Sequence, residues 1–186
     1  MTKTQENLLK AFAGESQARN KYLMFAKVAK DQEMEWVARV FEETGDNERV
    51  HAQELFELIT GSVETTGDLA IVPFSDKIVE NLKTAVDGEK FEWTTMYPDF
   101  EKIAGEEGEA EPERLFGELK EVEEKHEERY VILARDIENN TIYKRETEVE
   151  WKCLNCGYVH KGTMPPEKCP LCQKPKGWYM QIGLLR

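Results

Sequence analysis

No stretch of this chain is apolar over the length a bilayer demands. Its N-terminus, Met-Thr-Lys-Thr-Gln-Glu-Asn, lacks the apolar core of a signal peptide. Cysteine is scarce: the four present all fall in two Cys-x-x-Cys pairs. Without a secretion signal, such pairs favour metal ligation over disulfides, and a reducing cytoplasm is the expected location. Positive charge is also short, with 25 Lys and Arg against 37 Asp and Glu, a formal net charge of -12. Residues 1–150 carry formally -17, on 19 basic and 36 acidic residues, while residues 151–186 carry formally +5, on six and one. So acidic a body argues against nucleic-acid binding, and the basic tail lacks a dense basic–aromatic patch. Opposite charge on two parts implies that they attract each other, within or between chains.

At 186 residues the chain is long enough for one domain and a small appendage. Apolar residues recur at helical spacing over 4–30 and again over 33–60, with Gly61 as a natural stop. Residues 61–74 have no helical period and read as a crossover long enough for the next helix to start at either end of a bundle. Ser75 is the expected N-cap of a third helix reaching about 105, with Pro98 kinking or breaking it after Tyr97. Pro112 suits the first turn of a fourth helix that ends near Asn139-Asn140. This bundle occupies 1–140. Residues 141–150 read as a linker or a first edge strand, and 151–186 as a second module needing a metal staple to fold.

What the helices carry points to chemistry. Glu15 lies on the first, Glu48-x-x-His51 on the second, Glu89-x-x-Glu92 on the third and Glu123-x-x-His126 on the fourth. Residues three apart share a helix face, so each pair can aim inward. One Glu from each of two helices plus a Glu-x-x-His from each of the other two is the ligand set of a carboxylate-bridged di-metal site. Single glutamates in so acidic a chain are expected on solvated faces; the joint pattern is not. Glu15 precedes Glu48 by 33 positions and Glu92 precedes Glu123 by 31, so the chain reads as a repeat of two helix pairs. In that alignment Glu89 is the additional carboxylate and Phe12 its apolar counterpart. An extra buried acid is costly unless a cation compensates. Oxygen and imidazole ligands suit iron, manganese or zinc.

Cys153-Leu-Asn-Cys156 and Cys169-Pro-Leu-Cys172 make a four-thiolate signal. Taken alone it favours a structural zinc ribbon, though mononuclear iron is equally compatible with four thiolates. Beside a redox bundle the balance moves to iron, because iron can deliver electrons and zinc cannot.

These motifs together resemble the rubrerythrin family. The resemblance rests on Ala13-Gly14-Glu15-Ser16-Gln17-Ala18-Arg19-Asn20, Glu48-Arg49-Val50-His51-Ala52, the run from Glu89 through Glu92 to Tyr97-Pro98, Glu123-Glu124-Lys125-His126-Glu127 and both cysteine pairs. It implies a mainly α fold: a ferritin-like four-helix bundle with a long crossover, plus a small rubredoxin-like β domain stabilised by metal. It implies a non-haem di-iron centre held by Glu15, Glu48, Glu89, Glu92, Glu123 and His126, with His51 exchanging with Glu92 as the redox state changes. One mononuclear iron centre would sit on Cys153, Cys156, Cys169 and Cys172. The implied activity is reduction of hydrogen peroxide to water in oxidative-stress defence. Electrons would come from rubredoxin or a NAD(P)H-linked reductase, in a homodimer or higher homo-oligomer. Protons would come from protonated ligand carboxylates or released His51. Tyr22, seven after Glu15, and Tyr97, near Glu92, could each hydrogen-bond a ligand carboxylate or simply pack in the core. The rival readings are a dioxygen-using ferroxidase or oxidase, and a helical interaction module with a structural zinc ribbon.

Overall fold

A computed structural model describes residues 2–61 and 74–184. Helix α1 spans Lys3–Asp31 and starts where the Thr2 hydroxyl accepts from the Gln5 N–H. Its buried stripe, Leu8, Ala11, Glu15, Ala18, Tyr22, Phe25, Ala26 and Ala29, keeps helical period for about six turns. Helix α2, Glu35–Leu58, returns along it. The expected crossover over 61–74 falls almost wholly outside the described residues.

Helix α3 begins at Ile78, not at Ser75. The Asn81 side chain accepts from the Ser75 N–H at 2.7 Å and donates to the Ser75 carbonyl at 2.8 Å. That grip keeps Ser75 in a turn two residues ahead of the cap position, where its hydroxyl accepts from the Lys77 N–H instead. Helix α3 ends at Phe91, and a π-helical segment, Glu92–Met96, joins it to α4, Tyr97–Glu107. The break expected after Tyr97 therefore lies upstream of it. The Tyr97 N–H reaches back five residues to the Glu92 carbonyl, which accommodates one extra residue without ending the helix. Pro98 then sits in the first turn of α4, directly after the π segment. Gly108, at φ 76, turns the chain into α5, Ala110–Glu138, with Pro112 in the opening turn.

Helix α1 pairs with α2, and α3 and α4 pair with α5. Two apolar sets fill the bundle. One holds Leu8, Ala11, Leu55, Tyr97, Phe116 and Leu119; the other holds Tyr22, Phe25, Phe41, Leu82, Tyr130 and Leu133. Along α1, α2 and α5, the glutamates and histidines singled out above lie between these sets.

Among the described residues, three short strands follow the bundle: β1 (Val149–Cys153), β2 (Val159–Gly162) and β3 (Tyr179–Gln181). They form an antiparallel sheet in the order β2-β1-β3, with β1 central; of the stretch 141–150 expected as a linker or edge strand, only 149 and 150 belong to it. Central placement buries Trp151 and Cys153 completely. Residues 141–148 are also less loose than a linker. Ile142 is buried, and Tyr143 packs against both Trp36 of α2 and Trp151 of β1. Arg145 donates to Asp136 at the end of α5 and to Gln181 of β3, tying the sheet to the bundle. Gly177, in a 3-10 turn before β3, lies against the backbone of Glu33 in the α1–α2 turn. The small sheet thus caps one end of its own bundle and shares that bundle's apolar core.

Candidate metal centres

Six side chains from four helices converge in the middle of the bundle. Glu15, Glu48, His51 and Glu123 form one quartet, and Glu48, Glu89, Glu123 and His126 form the other. Within each quartet the potential ligand atoms lie within 4.8 Å of one another. Glu48 and Glu123 belong to both, so they stand where bridging carboxylates would. The His51 Nδ1 is 2.7 Å from Glu48, 3.2 Å from Glu123 and 3.9 Å from Glu15. The His126 Nδ1 is 2.7 Å from Glu123, 3.3 Å from Glu48 and 3.8 Å from Glu89. These contacts are not aligned as hydrogen bonds. Both Nδ1 atoms, both oxygens of Glu48 and of Glu123, and one oxygen each of Glu15 and Glu89 are buried without a partner.

Such an arrangement is unstable as four free carboxylates, since removing one ionised carboxylate from water costs several kcal/mol, of order 5, even after relaxation. Burial, then the Glu48 charge, pushes the Glu15 carboxyl up to about 7. Burial pushes Glu89 up to about 8, against the pull of His126. Burial alone would lower both imidazoles; the facing carboxylates win, raising His51 strongly and His126 to about 12. The cluster is thus short of positive charge. Two divalent cations would supply it, and the oxygen and nitrogen donors suit iron.

The two half-sites match as a repeat, but not in the register read from sequence. Glu15 and Glu89 are counterparts, each with one quartet. The additional carboxylate is therefore Glu92, not Glu89, and its counterpart on α1 is Ala18. Glu92 lies on the π segment and belongs to neither quartet. Burial first, then the Glu15, Glu89 and Glu123 charges, pushes its carboxyl well above the usual range. Of the two exchanging residues expected, the structure brings His51 into the cluster and leaves Glu92 beside it. Both tyrosines bond a carboxylate, and each does so across the bundle. The Tyr22 hydroxyl donates to Glu89 and the Tyr97 hydroxyl to Glu15. Burial raises both phenols well above their normal range, so they stay protonated as donors.

The sequence reading missed the π segment, although a signal was present. Tyr22 follows Glu15 by seven residues, and Tyr97 follows Glu89 by eight. One extra residue on one of two matching helices is what a π turn absorbs. Two other contacts had no such signal. The Trp93 indole donates to Glu127 at 2.5 Å, fastening the π segment to α5. The Asn47 amide lies 3.3 Å from the His126 Nε2.

At the other end of the chain the four cysteines converge as a buried and half-buried tetrad. Cys153 and Cys172 sulfurs are 3.6 Å apart, as are those of Cys156 and Cys169. A disulfide needs about 2.05 Å. Tetrahedral metal–sulfur bonds of about 2.3 Å put sulfurs near the observed separation. Backbone N–H groups of each knuckle point at its sulfurs. Burial would raise the Cys169 thiol, but the nearby Tyr179 hydroxyl and the N–H groups of Cys172 and Leu171 hold it down to about 6.

The rubrerythrin family model matches residues 6–134, and the rubrerythrin rubredoxin-like domain model matches residues 151–179. The chain belongs to the rubrerythrin family. A rubrerythrin of Nitratidesulfovibrio vulgaris is 43% identical over 98% of this chain and 96% of its own length. A putative rubrerythrin of Methanocaldococcus jannaschii is 42% identical over 96% of this chain and 92% of its own. Among solved structures, mixed-valence nigerythrin superposes with a TM-score of 0.66 at 35% identity, covering 97% of this chain and 87% of that one. Reduced symerythrin from Cyanophora paradoxa shares the fold at a TM-score of 0.63 and 20% identity, over 74% of this chain and 86% of that one. As a rubrerythrin-family chain, this protein is a member of an oxidoreductase family. It carries both of the family's cofactor sites, the di-iron carboxylate–histidine cluster and the four-cysteine rubredoxin-like motif. Among the described residues no helix is long and apolar enough to cross a membrane.

Proposed function

We propose that the protein is a non-haem di-iron peroxidase that reduces hydrogen peroxide to two waters, consuming two electrons and two protons. Two half-sites sharing Glu48 and Glu123, in one chain with a four-cysteine site, are the observation that carries this reading. Iron bound at the two places supplies the redox chemistry, with electrons and Lewis acidity for O–O cleavage in the bundle and one-electron transfer at the cysteines.

The protein's own groups have distinct tasks. Glu48 and Glu123 keep the two metal positions close enough for both to meet one small oxidant. Tyr22 and Tyr97 each occupy one carboxylate oxygen, leaving the other oxygen turned to the cluster. The apolar sets on either side keep bulk water out, which strengthens every charge interaction within. Glu92, half-buried at the cluster's edge with its carboxyl pushed upward by desolvation and the neighbouring carboxylates, is the group we assign to deliver a proton. With metal bound, His51 would be the group that exchanges with Glu92.

Electron delivery we assign to a second copy. The cysteine module caps the bundle at the α1–α2 turn, and Glu48 stands thirteen residues beyond the start of α2. That is about 20 Å of helix at about 1.5 Å per residue. Leu171, in the second cysteine knuckle, is 68% exposed and free of the bundle in cis. We assign residues 1–140 as the peroxide-reducing unit and 151–186 as the electron-entry unit, in a homodimer. The acidic bundle of one copy would face the basic module of the other, and rubredoxin or a NAD(P)H-linked reductase would supply electrons in the cytoplasm.

The test is anaerobic mixing of the fully reduced, iron-loaded protein with peroxide and, separately, with dioxygen, following both iron chromophores. Peroxide should oxidise it far faster. Faster oxidation by dioxygen would replace this reading with an oxidase.

A further inference from the structure

The two cluster histidines are held differently. Each turns Nδ1 toward the carboxylates, so the other ring nitrogen, Nε2, points outward. The outward nitrogen of His126 meets the Asn47 amide nitrogen at 3.3 Å. His51 makes no such side-chain contact through Nε2 among the described residues. His126 is also the less exposed, at 3% against 9%.

A neutral imidazole that gives its Nδ1 lone pair to a cation carries its only proton on Nε2. That N–H donates, so its partner must accept. Asn47 can do so with Oδ1 after half a turn of its amide, whose two ends have nearly the same shape. No backbone movement and no repacking is needed. Asn47 reaches His126 from α2, where it is the immediate neighbour of Glu48, so one bond spans the two helices that carry the Glu-x-x-His pairs.

We propose that Asn47 is the positioning residue that fixes His126, through an Nε2–H to Oδ1 hydrogen bond, as the permanent histidine of the di-metal site. His51, without this restraint, is the histidine that can leave. The inference rests on the di-metal reading and adds the reason why two chemically equal histidines would behave unequally.

The experiment is cobalt(II) titration of the metal-depleted full chain, with visible absorption separating thiolate-bound from bundle-bound ions. The wild-type bundle should take two ions beyond the one on the cysteines. Asn47→Leu keeps approximate volume and removes the acceptor; it should weaken one bundle ion about 10–100-fold and spare the other. Asn47→Asp keeps shape and restores an acceptor, so it should bind both ions at least as tightly as wild type. Thermal midpoints of the three metal-depleted chains should agree. Wild-type affinity in Asn47→Leu would overturn the proposal, and so would equal weakening in Asn47→Leu and Asn47→Asp, which marks a packing role. A wild-type bundle that takes no pair of ions would instead overturn the di-metal reading, and this inference with it. Should Asn47→Leu not fold, Asn47→Asp decides alone, and weaker binding there would overturn the proposal.

Discussion

The Tyr22 hydroxyl donates to Glu89 on α3, not to Glu15 seven residues earlier on its own helix. Tyr97 makes the reciprocal bond to Glu15. Each half-site is therefore steadied from the opposite half of the repeat. Tyr22→Phe and Tyr97→Phe should both fold, since only a hydroxyl is lost from an aromatic position. Each should lower metal affinity or peroxide turnover about 10–100-fold. Metal retention after dialysis, read together with turnover, checks this. If either variant keeps wild-type values, its bond is packing detail and nothing more.

Glu92 stands outside both quartets, so removing it should leave two-cation binding intact. Glu92→Ala should retain both bundle ions and unfold no earlier than wild type, because a half-buried acid facing other carboxylates has been deleted. Its peroxide turnover should fall, because the proton source and the exchanging ligand are gone. Deleting one residue from the π segment should have the same kinetic effect by returning Glu92 to an ordinary helical face. Unchanged turnover in Glu92→Ala would remove Glu92 from the mechanism.

Stability of the metal-depleted chain should fall as pH rises. In the folded state Glu15 and Glu89 titrate near 7 and 8, against a usual value of 4.5. Between those limits the unfolded chain releases protons that the folded chain retains, so each unit of pH favours unfolding. The loss should begin near 4.5 and continue above 8, because His126 is raised to about 12 and His51 is raised strongly as well. Glu48, held below the usual range by His126 and His51 despite burial, acts only at the acid end. Metal-loaded protein should behave oppositely, losing stability on acidification as its ligands take up protons. Thermal midpoints of both forms between about pH 5 and 9 would show the two slopes, and parallel slopes would contradict the cluster electrostatics.

Zinc in place of iron on the four cysteines should separate the two stages. One reduced equivalent of the bundle should still consume peroxide, while sustained turnover from an external reductant should stop. Continued turnover with zinc there would mean that electrons enter the bundle by another route.

Gly177 leaves no room for a side chain, since a Cβ there would collide with the Glu33 carbonyl oxygen. Gly177→Ala should loosen the sheet from the bundle end at a cost of about 1–3 kcal/mol. Faster proteolytic cleavage between 139 and 148, with the thiolate–metal spectrum unchanged, is the expected signature. Wild-type resistance would show that the docking contact yields easily.

Much of this site is legible in the sequence because its ligands obey short-range rules. Glu48 and His51, and Glu123 and His126, share helix faces through spacing alone, and each Cys-x-x-Cys pair closes its own knuckle. The alternation of apolar sets around those positions is likewise written in helical period. The misreadings arose where a single residue changes the register. Aligning Glu15 with Glu92 assumed two uninterrupted α-helices, and the π segment breaks that assumption after Glu89. Ser75 looked like a cap because hydroxyls usually are caps there, until Asn81 competed for its backbone.

From the sequence alone follow the bundle, the metal-binding character of both centres and the family to which the chain belongs. Local periodicity and side-chain chemistry are enough for these. Only the tertiary structure decided that Glu92 is the spare carboxylate, that the tyrosines bond crosswise, that Asn47 meets His126, and that the cysteine module is docked far from its own cluster. Each of these is a contact between helices or between bundle and sheet. Which distant residues meet depends on register and packing, and no spacing along one helix encodes that.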